Sequence, residues 1–228
     1  MPECTLVLEG STYGGSVALL SDAGVIAERT LVDLGIPAKD GREERVLPSV
    51  AECLEDAGVP VGDLTRVICG AGPGSFTSLR ISASVAKGIA VGVGCPIYSV
   101  SSLLLAVAGV RETLKDGLYM SVLPAMRGEW FALLVEVGPN ASIEARGSAS
   151  IIGGAQLSHV AKVFAATLLG PEQAVDARPH ARAAAALLPQ ILAAEPVPVD
   201  TWEPDYGRLA EAQVKWEAAH GRPLGTGA

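Results

Sequence analysis

The stretch Ile68-Cys69-Gly70-Ala71-Gly72-Pro73-Gly74-Ser75-Phe76-Thr77-Ser78-Leu79-Arg80 constrains this chain more than any other. A β-rich run enters a glycine turn and leaves as a helix, so backbone N–H groups converge at a helix N-terminus, a geometry that suits an anion. Two familiar signatures fail on inspection. A dinucleotide fingerprint needs a third glycine where Ser75 stands, and a phosphate-clamping loop needs Lys followed by Ser or Thr after its last glycine, where Ser75-Phe76 follow Gly74. Two readings stay open. The glycines can simply permit a tight turn with Ser75 capping the helix. Alternatively the loop presents its amides to a ligand, with Gly72, Gly74, Ser75, Thr77 and Arg80 as candidate anion or nucleotide contacts.

The elements around this loop set the fold class. Thr5 to Glu9, Ser16 to Leu20 and Val25 to Val32 read as three strands joined by tight turns, an antiparallel meander. Val46, Leu47, Val50, Cys53 and Leu54 recur at the spacing of one helical face, with Pro48 in the first turn and Gly58 as the stop. A strand over Arg66 to Cys69, a helix from about Ser75 to Val93, a strand over Pro96 to Val100 and a helix after Ser101-Ser102 follow. The second half restarts with strands at Leu118 to Leu123 and Trp130 to Val137, joined through Met126-Arg127-Gly128-Glu129. A strand over Lys162 to Leu169, an Ala-rich helix over Arg178 to Ala194 and a final helix over Arg208 to His220 complete it. The pattern predicts an α/β fold of two related halves, residues 1–116 and 117–228.

The helix after the glycine loop is rich in small residues: Ser82, Ala83, Ser84, Ala86, Gly88 and Gly92. Small residues let another helix approach closely, although each glycine costs about 1 kcal/mol of helix stability against alanine. Arg80, Ser84 and Lys87 share one polar stripe of an otherwise apolar cylinder, which is expected to be buried almost all round. Its cover is either the rest of the chain or another subunit. In the second case Val46, Leu47, Val50 and Leu54 of the first helix, with Leu79, Ser84, Lys87 and Gly88 of the second, form the contact surface.

Charge and composition narrow the function. The 228 residues carry a formal net charge of -8, and no basic stripe stands out, so the chain is not expected to grip nucleic acid by itself. Cys4, Cys53, Cys69 and Cys95 are far apart and form no CxxC pair, which reads as reduced core residues of a cytoplasmic protein. No secretory leader is read in MPECTLVLEG, and the apolar run from Ile89 to Ala108 is too broken by Gly, Pro and Ser to span a membrane. His159, His180 and His220 are isolated, so no metal site is expected. Ser75 lacks the elbow of a hydrolase nucleophile. Trp202, Tyr206 and Trp216 read as core aromatics or as an exposed aromatic contact.

Gly70 to Ile81 closely resembles the GxGPGSFTxLRI pattern of the bacterial TsaB (YeaZ) family. Ala86-Lys87-Gly88-Ile89-Ala90, Arg45-Val46-Leu47-Pro48, Gly128-Glu129 and Glu203-Pro204-Asp205-Tyr206-Gly207-Arg208 resemble further elements of that family, in the same order. The resemblance implies an actin-like (ASKHA, ribonuclease H-like) fold of two lobes, each a mixed sheet flanked by helices. It implies a non-catalytic scaffold for threonylcarbamoyladenosine synthesis on tRNA, paired with the transferase TsaD and joined by the ATPase TsaE. The helix near Arg45 to Ala57 and the one after GPGSFT would form the dimer surface, with self-association when TsaD is absent. The isolated chain would hold no cofactor, a nucleotide at the partner interface stays open, and tRNA would be reached through the complex. The chain departs from the pattern at Glu9-Gly10-Ser11-Thr12, where actin-like folds place Asp in a D-x-[ST] turn, and at Arg42, Ser78 and Pro124-Ala125-Met126. An independent, sugar-kinase-like phosphotransferase is the alternative, and it would need that Asp.

Overall fold

The computed structural model describes residues 3–12, 15–31, 45–207 and 219–221. The expected connection Gly35 to Gly41, Arg42, Trp216 and nearly all of the final helix lie outside the described residues.

The first sheet is built from β1 (Thr5–Glu9), β2 (Ser16–Ser21), β3 (Gly24–Thr30), β4 (Arg66–Gly70) and β5 (Ile97–Val100), in the order β3-β2-β1-β4-β5. β1, β2 and β3 form the expected antiparallel meander, and β4 and β5 add parallel to β1 and to β4. Parallel neighbours need a crossover, and two helices supply it. α1 (Val46–Ala57) leads into β4, and α2 (Phe76–Val93) leads into β5. β1 and β4 are buried along their whole length, as near-continuous apolar runs covered on both faces should be.

The second sheet repeats the plan. β6 (Gly117–Pro124) and β7 (Glu129–Val137) pair antiparallel, and both β8 (Ile143–Ala145) and β9 (Ser150–Gly153) pair antiparallel with β7. β10 (Thr167–Gly170) then lies parallel to β6, and β11 (Val175–Asp176) parallel to β10. The order β11-β10-β6-β7-β8 therefore mirrors the first sheet strand for strand. Two mixed sheets flanked by helices are what the resemblance implied.

Three cores hold the layers. α1 and α2 cover one face of the first sheet, with Val46, Val50, Cys53, Ala83, Ala86 and Ala90 against Leu6, Leu8, Leu19 and Val67. The other face of that sheet shares its core with the second sheet through α3 (Ser102–Ala108) and α5 (Ala184–Leu192). α4 (Gly154–Val163) covers the outer face of the second sheet through Leu157 and Ala161.

Several expectations need correcting. Lys162 to Leu169 is not one strand: Lys162 and Val163 close α4, and β10 begins only at Thr167. The helix expected from Arg178 starts as a 3-10 turn at Ala181 and becomes α5 at Ala184. The segment from Ala181 onward does not stay with the second sheet. Ala181 N–H donates to Ser16 Oγ, Val197 N–H to the Ile97 carbonyl and Asp205 N–H to the Ala71 carbonyl. The segment from Ala181 to Asp205 thus packs back on the first lobe.

Candidate functional site

The glycine turn is closed from within. Ser75 stands at the N-cap of α2, yet its side chain makes no capping bond and lies 3.0 Å from Ser78 Oγ. Its amide donates instead to the Ser11 carbonyl at 2.7 Å, while the Ala71 amide donates to the Val100 carbonyl at 2.7 Å. The Gly72 amide donates to Ser102 Oγ at 3.1 Å. Two amides expected to face an anion, those of Gly72 and Ser75, are therefore spent inside the chain, as is that of Ala71. The glycines serve close approach: a Cβ on Gly74 would overlap the Ser11 carbonyl oxygen and lie 2.6 Å from the Ser11 side chain.

Behind the turn lies a buried carboxyl network. Glu9, at the end of β1, is 1% exposed. Its Oε1 accepts from the Ser11 amide at 2.6 Å, and its Oε2 accepts from the Ser102 hydroxyl at 2.9 Å. Ser102 in turn accepts from Gly72, so one serine on α3 ties β1 to the glycine turn. Burial pushes the Glu9 carboxyl up from its ordinary value, and the hydrogen bonds from Ser11 and Ser102 pull it part of the way back. A Cβ on Gly70 would overlap Glu9 Oε2 and lie 2.9 Å from the carboxyl carbon, so the strand must be bare there. An actin-like fold implies a metal-bound nucleotide phosphate at this turn. The residues present do not fit one, because the carboxylate at the strand end is sealed from solvent and engaged by the protein.

The expected contact residues divide into two sets. Val46, Val50 and Leu79 are spent inside the chain's own core, and Leu54 is partly buried against the same core. They cannot also serve as a bare docking face, because a hydrophobic period marks a covered stripe without naming its cover. Leu47 remains outside, 52% exposed. On α2 the described residues do not themselves supply the cover that burial almost all round needs. Thr77, Arg80, Ser84, Gly88, Val91 and Gly92 are exposed along one side, with Lys87 half-buried beside them. Among the described residues nothing approaches within 4 Å of a Cβ built on Gly88 or Gly92. Val91 between them is 67% exposed. A depression of about 450 Å³ sits at the N-terminal end of this side, lined by Phe76, Thr77, Arg80, Ile81, Ser84 and Val85.

The C-terminal aromatics extend this surface. Tyr206 packs against Phe76 with ring planes tilted by 45° and centroids 4.5 Å apart, and the Arg80 guanidinium lies 5.0 Å from the centre of the Phe76 ring. Trp202 is half-buried against the core beneath α1 and α2, and Lys87 Nζ lies 5.9 Å from its ring centre. Sequence reasoning missed Phe76 and Ser102 as members of the site. Phe76 carried a signal in the GPGSFT match, whereas Ser102 is 93 residues from Glu9 and carried none.

The histidines stay apart. His159 is exposed on α4, and His180 accepts from the Arg182 amide at 3.2 Å while its other ring nitrogen lies 3.1 Å from Thr30 Oγ1. Among the described residues no three His, Cys, Asp or Glu side chains gather as a metal-holding group. None of the described helices is long and apolar enough to cross a membrane.

Comparison with known proteins places the chain. Residues 37–195 match the family model described as TsaD, tRNA N6-adenosine threonylcarbamoyltransferase. The tRNA threonylcarbamoyladenosine biosynthesis protein TsaB of Bacillus subtilis (strain 168) is 30% identical over 92% of this chain and 96% of its own length. This chain belongs to the TsaB (YeaZ) family. The TsaB of Escherichia coli (strain K12) is 32% identical over 54% of this chain and 51% of that protein. A crystal structure of a Pseudomonas aeruginosa protein, described as uncharacterized with similarity to peptidase YEAZ, superposes with a TM-score of 0.73 at 22% identity. It covers 90% of this chain and 100% of that one. The two-lobed actin-like architecture is thus that of the TsaB (YeaZ) fold, and the closed glycine turn occupies the first lobe of it.

Proposed function

We propose that this chain is a non-catalytic scaffold and activator in threonylcarbamoyladenosine synthesis on tRNA, docking a TsaD-type transferase through α2 and the exposed edge of α1. One observation carries the reading: among the described residues, the side of α2 bearing Ser84, Gly88, Val91 and Gly92 has open space above both glycines. A partner helix can approach such a face to near backbone contact, and an exposed apolar or small-residue face of this length is an association surface rather than a solvent-facing one. Leu47 flanks it from α1. The family membership supports the pathway, and the sealed Glu9 counts against the phosphotransferase alternative, which needs an accessible acid at that turn.

The rest of the assembly is part of the same proposal. TsaE joins the pair, and the isolated chain self-associates through α2. A nucleotide, where one binds, sits at the partner interface near Thr77 and Arg80. The net charge of -8 leaves the tRNA to be held by the partner.

The test is association with TsaD by calorimetry together with a reconstituted tRNA modification assay. Gly88→Leu, which fills open space and leaves the fold intact, is expected to weaken binding at least tenfold and to lower modification in parallel. Undiminished modification in the complete absence of this chain would refute the proposal.

A further inference from the structure

The segment 197–207 behaves as a strap across the first lobe. Val197 N–H donates to the Ile97 carbonyl at 2.8 Å, at the edge strand β5. Thr201 and Trp202 turn on the Pro198 carbonyl, and Val197, Val199 and Trp202 pack against the core under α1 and α2. Pro204 is buried, and the Asp205 amide donates to the Ala71 carbonyl at 2.8 Å. Asp205 Oδ1 then accepts from the Gly207 amide at 2.7 Å, which turns the chain. A Cβ on Gly72 would overlap the Asp205 carbonyl oxygen, so the strap lies directly on the glycine turn.

This path brings two aromatic rings to two cations. Arg80 and Lys87 are seven residues apart on α2, two helical turns and about 10 Å along the axis on one face. They are the only charged residues of α2. Trp202 lies beneath Lys87. Tyr206 packs against Phe76, whose ring carries Arg80; burial raises the titration of the Tyr206 hydroxyl, and the nearby Arg80 charge pulls it part of the way back. Both long side chains carry large rotamer freedom, and each ring contact removes some of it before any partner arrives.

We propose that residues 197–207 are a positioning strap that orders Arg80 and Lys87 on the docking face of α2, so that the helix offers two fixed cations beside its small-residue trough to carboxylates of the partner. The role rests on the docking proposed above. Its occupant is the TsaD-type partner, and its chemistry is charge complementarity from a helix that carries two cations and no carboxylate in a chain of net charge -8.

The test uses the full chain and reads two properties. In the isolated chain, the order of the Arg80 Nε–H group is followed by nitrogen-15 relaxation in wild type, Tyr206→Phe and Tyr206→Ala. Tyr206→Ala is expected to release Arg80, and Tyr206→Phe, which keeps the ring contact but loses the hydroxyl, to fall between. Affinity for TsaD is then measured against salt concentration. Tyr206→Ala is expected to weaken binding about three- to fivefold and to flatten the salt dependence. In an Arg80→Ala background the same change should cost almost nothing. Equal Arg80 order in all three proteins overturns the strap, as does lost order with unchanged affinity, or an undiminished Tyr206→Ala effect without Arg80. If the wild-type chain does not bind TsaD at all, the docking proposal falls, and the strap stands or falls on Arg80 order alone.

Discussion

Gly70→Ala probes the internal lock behind the glycine turn. The added methyl group would overlap Glu9 Oε2 and sit 2.9 Å from the carboxyl carbon, in a region with no solvent to receive a displaced side chain. Moving the carboxyl away strands two buried donors, the Ser11 amide and the Ser102 hydroxyl. Each unsatisfied donor costs about 1–3 kcal/mol, so the substitution should destabilise by about 2–6 kcal/mol. That is a large share of the roughly 5–15 kcal/mol that holds a domain together. The partner substitution is Glu9→Asp, which withdraws the carboxyl by one methylene, about 1.5 Å. In that background Gly70→Ala meets no oxygen, and its cost should shrink by about 1–3 kcal/mol. Denaturant unfolding of the four proteins of the cycle, followed by both circular dichroism and tryptophan fluorescence, measures this coupling. A Gly70→Ala penalty below about 0.5 kcal/mol, the scale of an ordinary surface change, would falsify the lock. So would strict additivity with Glu9→Asp.

Two further outcomes follow from the same chemistry. The folded-state Glu9 carboxyl titrates above its ordinary 4.5, so the folded chain holds its proton more tightly than the unfolded one. Its contribution is full below that value and is lost as pH rises through the folded-state value. Stability of wild type relative to Glu9→Gln should therefore fall as pH rises from acid toward neutral, and a rise would contradict the assignment. Among the thiols, burial raises Cys53 to about 11 and Cys69 further still, while Cys95 is the one cysteine that is not fully buried. Mass spectrometry after brief alkylation of the native protein at mild alkaline pH should find Cys95 modified first and Cys69 last.

The first lobe was legible because its signals agree with one another. The strands of the meander alternate with Gly and Asp turns, α1 carries Pro48 in its first turn and ends at left-handed Gly58, and α2 ends at left-handed Gly94. The second lobe gives weaker signals. α4 starts at Gly153-Gly154 with no side-chain cap and buries only Leu157 and Ala161, too few contacts to impose a helical period. β8 and β9 are three and four residues long, below the length at which alternation can be read. The site was legible only as a set of covered stripes. Val46, Val50 and Cys53 on α1 show the same period whether their cover is the sheet beneath or another molecule, and here it is the sheet. What the period does not carry is the empty space that the described residues leave above Gly88 and Gly92, which depends on where distant segments pack.

The departure at position 9 links the closed turn to the open helix. An aspartate at the end of β1 would hold its carboxyl one methylene nearer the backbone; glutamate carries it as far as Ser102 on α3. That reach requires Gly70 to be bare and ties the Gly72 amide to the same serine. Gly72 then accepts the strap at Asp205, and the next residue, Tyr206, meets Phe76 and Arg80 at the start of α2. Each link is a direct contact, so the group that an actin-like enzyme would devote to a phosphate is used here to set the entry of the helix that faces outward. Loosening Ser102 should therefore disturb Arg80, on a different element, more than it disturbs Cys95 at the far end of α2. Ser102→Ala with the same nitrogen-15 readout decides this, and unchanged Arg80 order would mean that the lock and the docking face are independent.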